Sequence, residues 1–360
     1  MTDRRGKLIF IFAPPATLIL LSVITLAAGG LPKFMAPWPF LIAICAVGLP
    51  HGAIDFIVSQ RLDGTSVAAT FFRFGWYLGV MACVLAGLFF APLPVLIAFG
   101  LLSAWHFGRA DAEDLDDICP ARSDRSIPKA IWALARGFIV VLLPFVCFFE
   151  GSVEVLNRLL AFCGSAAVNA SSEWRLTIAA FLTGCLILEL ASILRSVAEG
   201  NNRRAGVETF ELIALAICFG TLHPLFASGV YFLTWHSWRH LRRLNRVVNH
   251  EASWSFNLHN IVSLHRDSLI LLIPTVVAVA LIAMRLGGGM TPSSVCLSSL
   301  LVYVIVTLPH EVLCGRLFAS LLPEGSARRH LGWSSGPPTR SVISDSVQVG
   351  FGNIPKSKSR

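Results

Sequence analysis

The sequence predicts an all-α fold: a polytopic integral membrane helical bundle of about ten transmembrane helices, followed by a disordered C-terminal tail. Three observations predict it. Of the 360 residues, 55% are hydrophobic and only 14% charged, against about 25% charged in soluble domains. Apolar runs recur along most of the chain, many near the ~20 residues that cross a bilayer, with short polar breaks between them. After residue 322 the composition turns to Gly, Ser, Pro, Arg and Lys with little apolar periodicity, as in segments that cannot bury a core. The domains expected are therefore a transmembrane domain, 1–322, and a basic disordered cytoplasmic tail, 323–360.

The first span, near residues 8–29, follows Met-Thr-Asp-Arg-Arg-Gly-Lys, which resembles the basic start of a signal peptide. Its apolar core exceeds the about 7–15 residues such signals use, so a retained helix is expected, kinked at Pro14 and Pro15. Further spans are expected near 37–58, 71–91, 93–108, 130–149, 175–195, 208–222, 226–244, 268–285 and 294–315. Residues 150–174 read as a loop or a partial, interfacial helix. The segment 109–129 mixes Asp111, Glu113, Asp114, Asp116, Asp117 and Asp124 with basic residues and reads as a solvated inner loop.

The net charge of +8 does not point to nucleic acid. The basic residues sit at span ends and in the tail, where anionic lipid and membrane orientation account for them. With ten spans, the inner segments hold Arg4, Arg5, Lys7, Arg61, Arg73, Arg109, Arg203, Arg204, Arg242 and Arg243 among others. The outer segments hold only Lys33, Arg158, Arg175 and Arg285. Both termini are therefore expected on the cytoplasmic side of the plasma (inner) membrane. The nine cysteines show no C-x-x-C pairing, so neither a disulfide framework nor a thiolate metal site is expected; they read as small core residues.

The ten histidines carry the chemistry. His250, His259, His265 and His330 fall in polar segments or the tail and need no special role. His236 and His240, in Tyr-Phe-Leu-Thr-Trp-His-Ser-Trp-Arg-His at 231–240, share one helix face. Ionisable side chains inside a membrane are expensive to keep and mark a metal, a proton path or a ligand. With the orientation above, His51, His106, this pair and His310 fall on spans two, four, eight and ten, all running from outside to inside, each in the inner half of its span. His223, at an outer turn, stands about 15 Å from that depth at ~1.5 Å per residue and reads as structural.

Clustered neutral imidazoles suit iron, copper, nickel or zinc and bring no charge into the interior; for oxygen chemistry, open positions for dioxygen favour iron, and the sequence alone does not separate the metals. A ligating histidine usually gives its second N–H to a carboxylate, carbonyl or water, for which Asp55, Asp111 and Glu211 are candidates. Gly52 and Gly108 read as close helix contacts, and Trp105, Trp235 and Trp238 as interface anchors.

On Pro-His-Gly-Ala-Ile-Asp at 50–55, His-Phe-Gly at 106–108, the 231–240 segment and Leu-Pro-His at 308–310, the chain resembles the Brp/Blh family of integral membrane β-carotene 15,15'-dioxygenases over roughly residues 35–320. The resemblance implies a non-haem Fe2+ held by His51, His106, His236 and His240, with His310 matching a further motif. It implies central cleavage of β-carotene or a related carotenoid by O2 into two retinal molecules, in the lipid bilayer, with an opsin as a candidate recipient. Tyr231, Phe232 and Trp235, which ride on the ligand helix, are the first candidates for polyene contact. Two other readings remain: a haem-binding or proton- or solute-transporting membrane protein, and a di-iron desaturase or hydroxylase. The last needs around eight histidines in several boxes, whereas one H-x-x-x-H and no His-His occur here.

Overall fold

The computed structural model describes residues 2–48, 66–120, 128–248, 258–285 and 289–321, and their regular elements are all helical. In chain order they are α1 (Thr2–Ala27), α2 (Trp38–Ala43), α3 (Val67–Phe90), α4 (Pro92–Ile118), α5 (Lys129–Cys147), α6 (Phe149–Phe162), α7 (Ser172–Ala198), α8 (Asn202–Thr221), α9 (Pro224–Tyr231), α10 (Ser237–Val248), α11 (Leu258–Arg285) and α12 (Pro292–Leu321). A short 3-10 turn spans Lys33–Met35. π turns extend α2 through Ile44–Gly48 and join α9 to α10 through Phe232–His236. The chain divides into Met1–Phe318 and Ala319–Arg360; of the second unit only the end of α12 is described, and the expected tail lies outside the described residues.

Every apolar run of the sequence falls, in whole or in part, on described helix. Among the described residues, six helices are long and apolar enough to cross a membrane: Gly6–Ala27, Thr70–Phe90, Pro92–Ile118, Lys129–Cys147, Ser172–Ala198 and Pro292–Arg316. Two shorter apolar helices, Trp38–Gly48 and Leu272–Arg285, accompany them. Large apolar side chains such as Phe71, Phe72 and Phe90 on α3 stand exposed; patches of that kind suit a hydrocarbon surround rather than water. α1 runs as one helix through Pro14 and Pro15. Part of the 150–174 connection is helical, as α6.

The expectation of a solvated loop over 109–129 is corrected for residues 109–118, whereas 121–127, with Asp124, lie outside the described residues. α4 continues from His106 to Ile118, and Asp111 and Asp114 are only 1% and 2% exposed. A carboxylate is buried only when paired, and the partners come from other helices. Arg243 of α10 reaches Asp114 at 2.5 Å, Arg242 reaches Asp117 at 2.6 Å, and Arg204 of α8 reaches Asp116 at 2.9 Å. Asp111 accepts from the Trp235 indole N–H at 2.9 Å and pairs with Arg136 and Arg239, each at 3.4 Å. The basic residues that read as inner-loop charges therefore include three, Arg204, Arg242 and Arg243, that are buried bolts between helices.

Small residues let the backbone of α4 lie against α5. A Cβ added at Gly108 would strike the carbonyl of Ala133, and one at Gly137 would strike that of Ala104. Ala104/Gly108 and Ala133/Gly137 thus form two facing pairs at four-residue spacing, the arrangement that permits close helix approach in membranes. The expected packing role of Gly108 is borne out, while Gly52 lies outside the described residues. Gly229 of α9 makes the same kind of contact with the backbone of Pro39 and Phe40.

Candidate metal centre

α4 carries His106, the π turn ends on His236, α10 carries His240 and α12 carries His310. All four are buried. Their rings form a closed circuit, with centroids 4.9 Å apart for His106 and His236, 6.4 Å for His236 and His240, 5.7 Å for His240 and His310, and 5.3 Å for His310 and His106. The Nε2 atoms of His106 and His236 face each other at 3.2 Å. A π turn inserts an extra residue into a helix and is frequent at functional sites; here it ends on His236 itself, with His240 one turn further on.

The orienting carboxylate of His106 is Glu311. Its Oε2 stands 2.6 Å from His106 Nδ1, and its Oε1 2.8 Å from Arg109 Nη2. With Nδ1–H donating to Glu311, the Nε2 lone pair of His106 is turned toward His236. Sequence reasoning singled out Asp55, Asp111 and Glu211 for such work. Asp55 lies outside the described residues. Asp111 and Glu211 face arginines instead: Glu211 bonds Arg136, and Arg239 at 2.5 Å.

Cys314 also reaches the centre. Its Sγ lies 3.3 Å from His310 Nε2, and His106, His310 and Cys314 can bring one ligand atom each within 4.8 Å of one another. The signal was present: His310 and Cys314 repeat the four-residue spacing that drew attention to His236 and His240. His223 has a different role, since its Nδ1 accepts from the Leu225 N–H and caps α9. His51 lies outside the described residues.

A cavity of about 310 Å³ opens on the histidines and is lined by His106, His236 and His310 together with apolar side chains from α4, α5, α6, α9 and α12. Tyr231 and Phe232 line it, as does Phe107, whose ring meets those of Tyr231 and Phe232 at 5.7 and 5.5 Å. Trp235 is fully buried beside it, with the Arg239 guanidinium 4.5 Å over its ring, and is not among the residues that line the cavity. The polar lining consists of histidines, hydroxyls and no charged side chain among the described residues.

Comparison with known proteins then places the chain. Residues 42–318 match the family described as beta-carotene 15,15'-dioxygenase. A protein of Halobacterium salinarum named "Probable beta-carotene 15,15'-dioxygenase Blh" is 31% identical over 215 residues, covering 57% of this chain and 61% of that protein. The chain thus spans about three fifths of that relative's length. No solved structure matches. The chain belongs to the beta-carotene 15,15'-dioxygenase family.

Proposed function

We propose that this member of the beta-carotene 15,15'-dioxygenase family cleaves β-carotene, or a related carotenoid, at its central double bond with O2, giving two molecules of all-trans-retinal. The observation that carries the proposal is the buried circuit of His106, His236, His240 and His310 at the end of an uncharged apolar cavity. The donor set fits a non-haem Fe2+: neutral imidazole nitrogens suit iron and leave positions open for dioxygen, and a carboxylate 2.6 Å from His106 Nδ1 favours the tautomer that leaves Nε2 free to ligate. The proposed ligands are His51, His106, His236 and His240, with His310 against the same centre. Bound iron would supply the activation of O2.

The chain's own residues do the rest. Glu311, itself fixed by Arg109, holds the His106 ring; carboxylates in this position set ring orientation and ligand basicity. Phe107, Tyr231 and Phe232 offer faces and edges to a flat polyene and keep water from the reacting carbons. In the reaction one carbon–carbon double bond breaks and each carbon takes one oxygen atom of O2, so carbon is oxidised, dioxygen is reduced and no proton moves. A cavity without a charged acid or base suits such a reaction. The same reading places about ten spans in the plasma membrane, both termini and the 323–360 tail in the cytoplasm, and substrate arriving from the bilayer.

Metal analysis and an absorption spectrum of the purified protein test the proposal. Iron without a haem Soret band is expected, and His236→Ala or His240→Ala should abolish it. A Soret band, or iron retained in both variants, would overturn the assignment.

A further inference from the structure

A second, larger cavity of about 780 Å³ lies between α3, α11 and α12. Met81 and Ala82 of α3, Ala278 and Ile282 of α11, and Leu301 and Ile305 of α12 help to line it. It meets the first cavity at Gly48, Tyr303 and Val306, which line both. Val306 precedes His310 by four residues, one turn along α12, so the shared wall stands next to the histidine circuit.

We infer that this second cavity receives one half of the carotenoid, so that the bond to be cleaved crosses the sill at Tyr303 while the other half occupies the cavity beneath His106 and His236. The inference rests on the proposed function. A symmetric polyene cut in its middle must lay two equal halves on either side of the metal, and the first cavity, at about 310 Å³, sits at the lower end of the ~300–1,000 Å³ that hold drug-sized ligands. A full carotenoid is longer than such a space admits; the two chambers together exceed that range.

The sill is built to pass a flat chain. The Tyr303 ring lies nearly parallel to Phe232, 24° off at 6.0 Å, and edge-on to Phe40 at 6.4 Å. Its hydroxyl occupies the space that a Cβ on Gly48 would need, so a glycine at 48 lets the ring tuck aside. On the outer wall of the second chamber Trp76, Leu78, Leu85 and Phe89 line the cavity and are exposed. That side faces hydrocarbon, from which an apolar substrate arrives.

Ala278→Trp and Ala82→Trp, from opposite walls, fill the second chamber without touching a histidine. Each purified variant is given β-carotene and, separately, an apocarotenal in which one half has been shortened. Added bulk in an apolar pocket discriminates by about 10–200-fold. Expected is a loss of at least about tenfold on β-carotene, with apocarotenal cleavage within about twofold of wild type and iron content unchanged. Retained β-carotene cleavage in both variants would overturn the inference and leave the chamber to a lipid acyl chain. Equal loss on both substrates with iron bound would overturn it too, because the effect would not depend on the length of the half. Wild-type protein that cleaves neither substrate would instead defeat the proposed function itself.

Discussion

At the scale of single residues, the contact between Glu311 and His106 does most to define the centre. Removing its charge by Glu311→Gln should weaken iron binding about 10–100-fold, measured by competition with a chelator, while helical content by circular dichroism stays the same. Unchanged affinity would show that Arg109 and Glu311 are only a surface for packing. His223→Ala should behave oppositely: it removes the cap of α9, at a cost of ~0.5–2 kcal/mol in thermal unfolding, yet leaves iron bound. Equal iron loss would place His223 at the metal. The histidines were legible because imidazoles are conspicuous in apolar helices. Glu311 was visible only as the carboxylate that directly follows His310; its pairing with His106 was not legible, because the two lie 205 residues apart and adjacency to His310 says nothing about which helix the carboxylate faces. Cys314 was not legible as a ligand because it stands in no C-x-x-C pair; only its place one turn from His310 marks it.

At the scale of elements, the contact of α4 with α5 holds His106 in place. Gly108→Leu must push the helices apart, since even a Cβ there meets the carbonyl of Ala133. Overpacking of this kind costs ~1–3 kcal/mol or more, and His106, two residues earlier, should lose iron with it; a fully loaded, equally stable variant would contradict the close approach. The ion-pair layer makes a second test. Asp111→Asn leaves Arg136 and Arg239 with one buried counter-charge fewer, and breaking a buried pair from one side costs about 3–5 kcal/mol, which a lowered unfolding temperature in detergent would report. A loss within experimental scatter would mean that Glu211, together with Glu189 at 3.5 Å from Arg136, suffices to hold both guanidiniums. This layer was hidden in the sequence: Asp111 to Asp117 look like a solvated loop until Arg204, Arg242 and Arg243, on helices far along the chain, are brought opposite them.

At the scale of the whole molecule, the helical class and the positions of the apolar helices were legible from composition and run length, because runs of about 20 apolar residues read as helices long enough to cross a bilayer. The meeting of α4, α10 and α12 was foreshadowed by one argument, that spans running in the same direction place His51, His106, His236, His240 and His310 at a common depth; the rings of the last four form one circuit, and His51 lies outside the described residues. What no pattern of single residues could supply was the pair of chambers divided by Tyr303, since a cavity is a property of how helices miss one another. The central claim, that this circuit is where a carotenoid is cut, is tested most directly by retinal itself. Cells that accumulate β-carotene, supplied with iron and expressing the full chain, should lose colour and gain retinal, while the same cells expressing His236→Ala at equal level should do neither. Persistent colour and no retinal with the wild-type chain present in the membrane would contradict the claim.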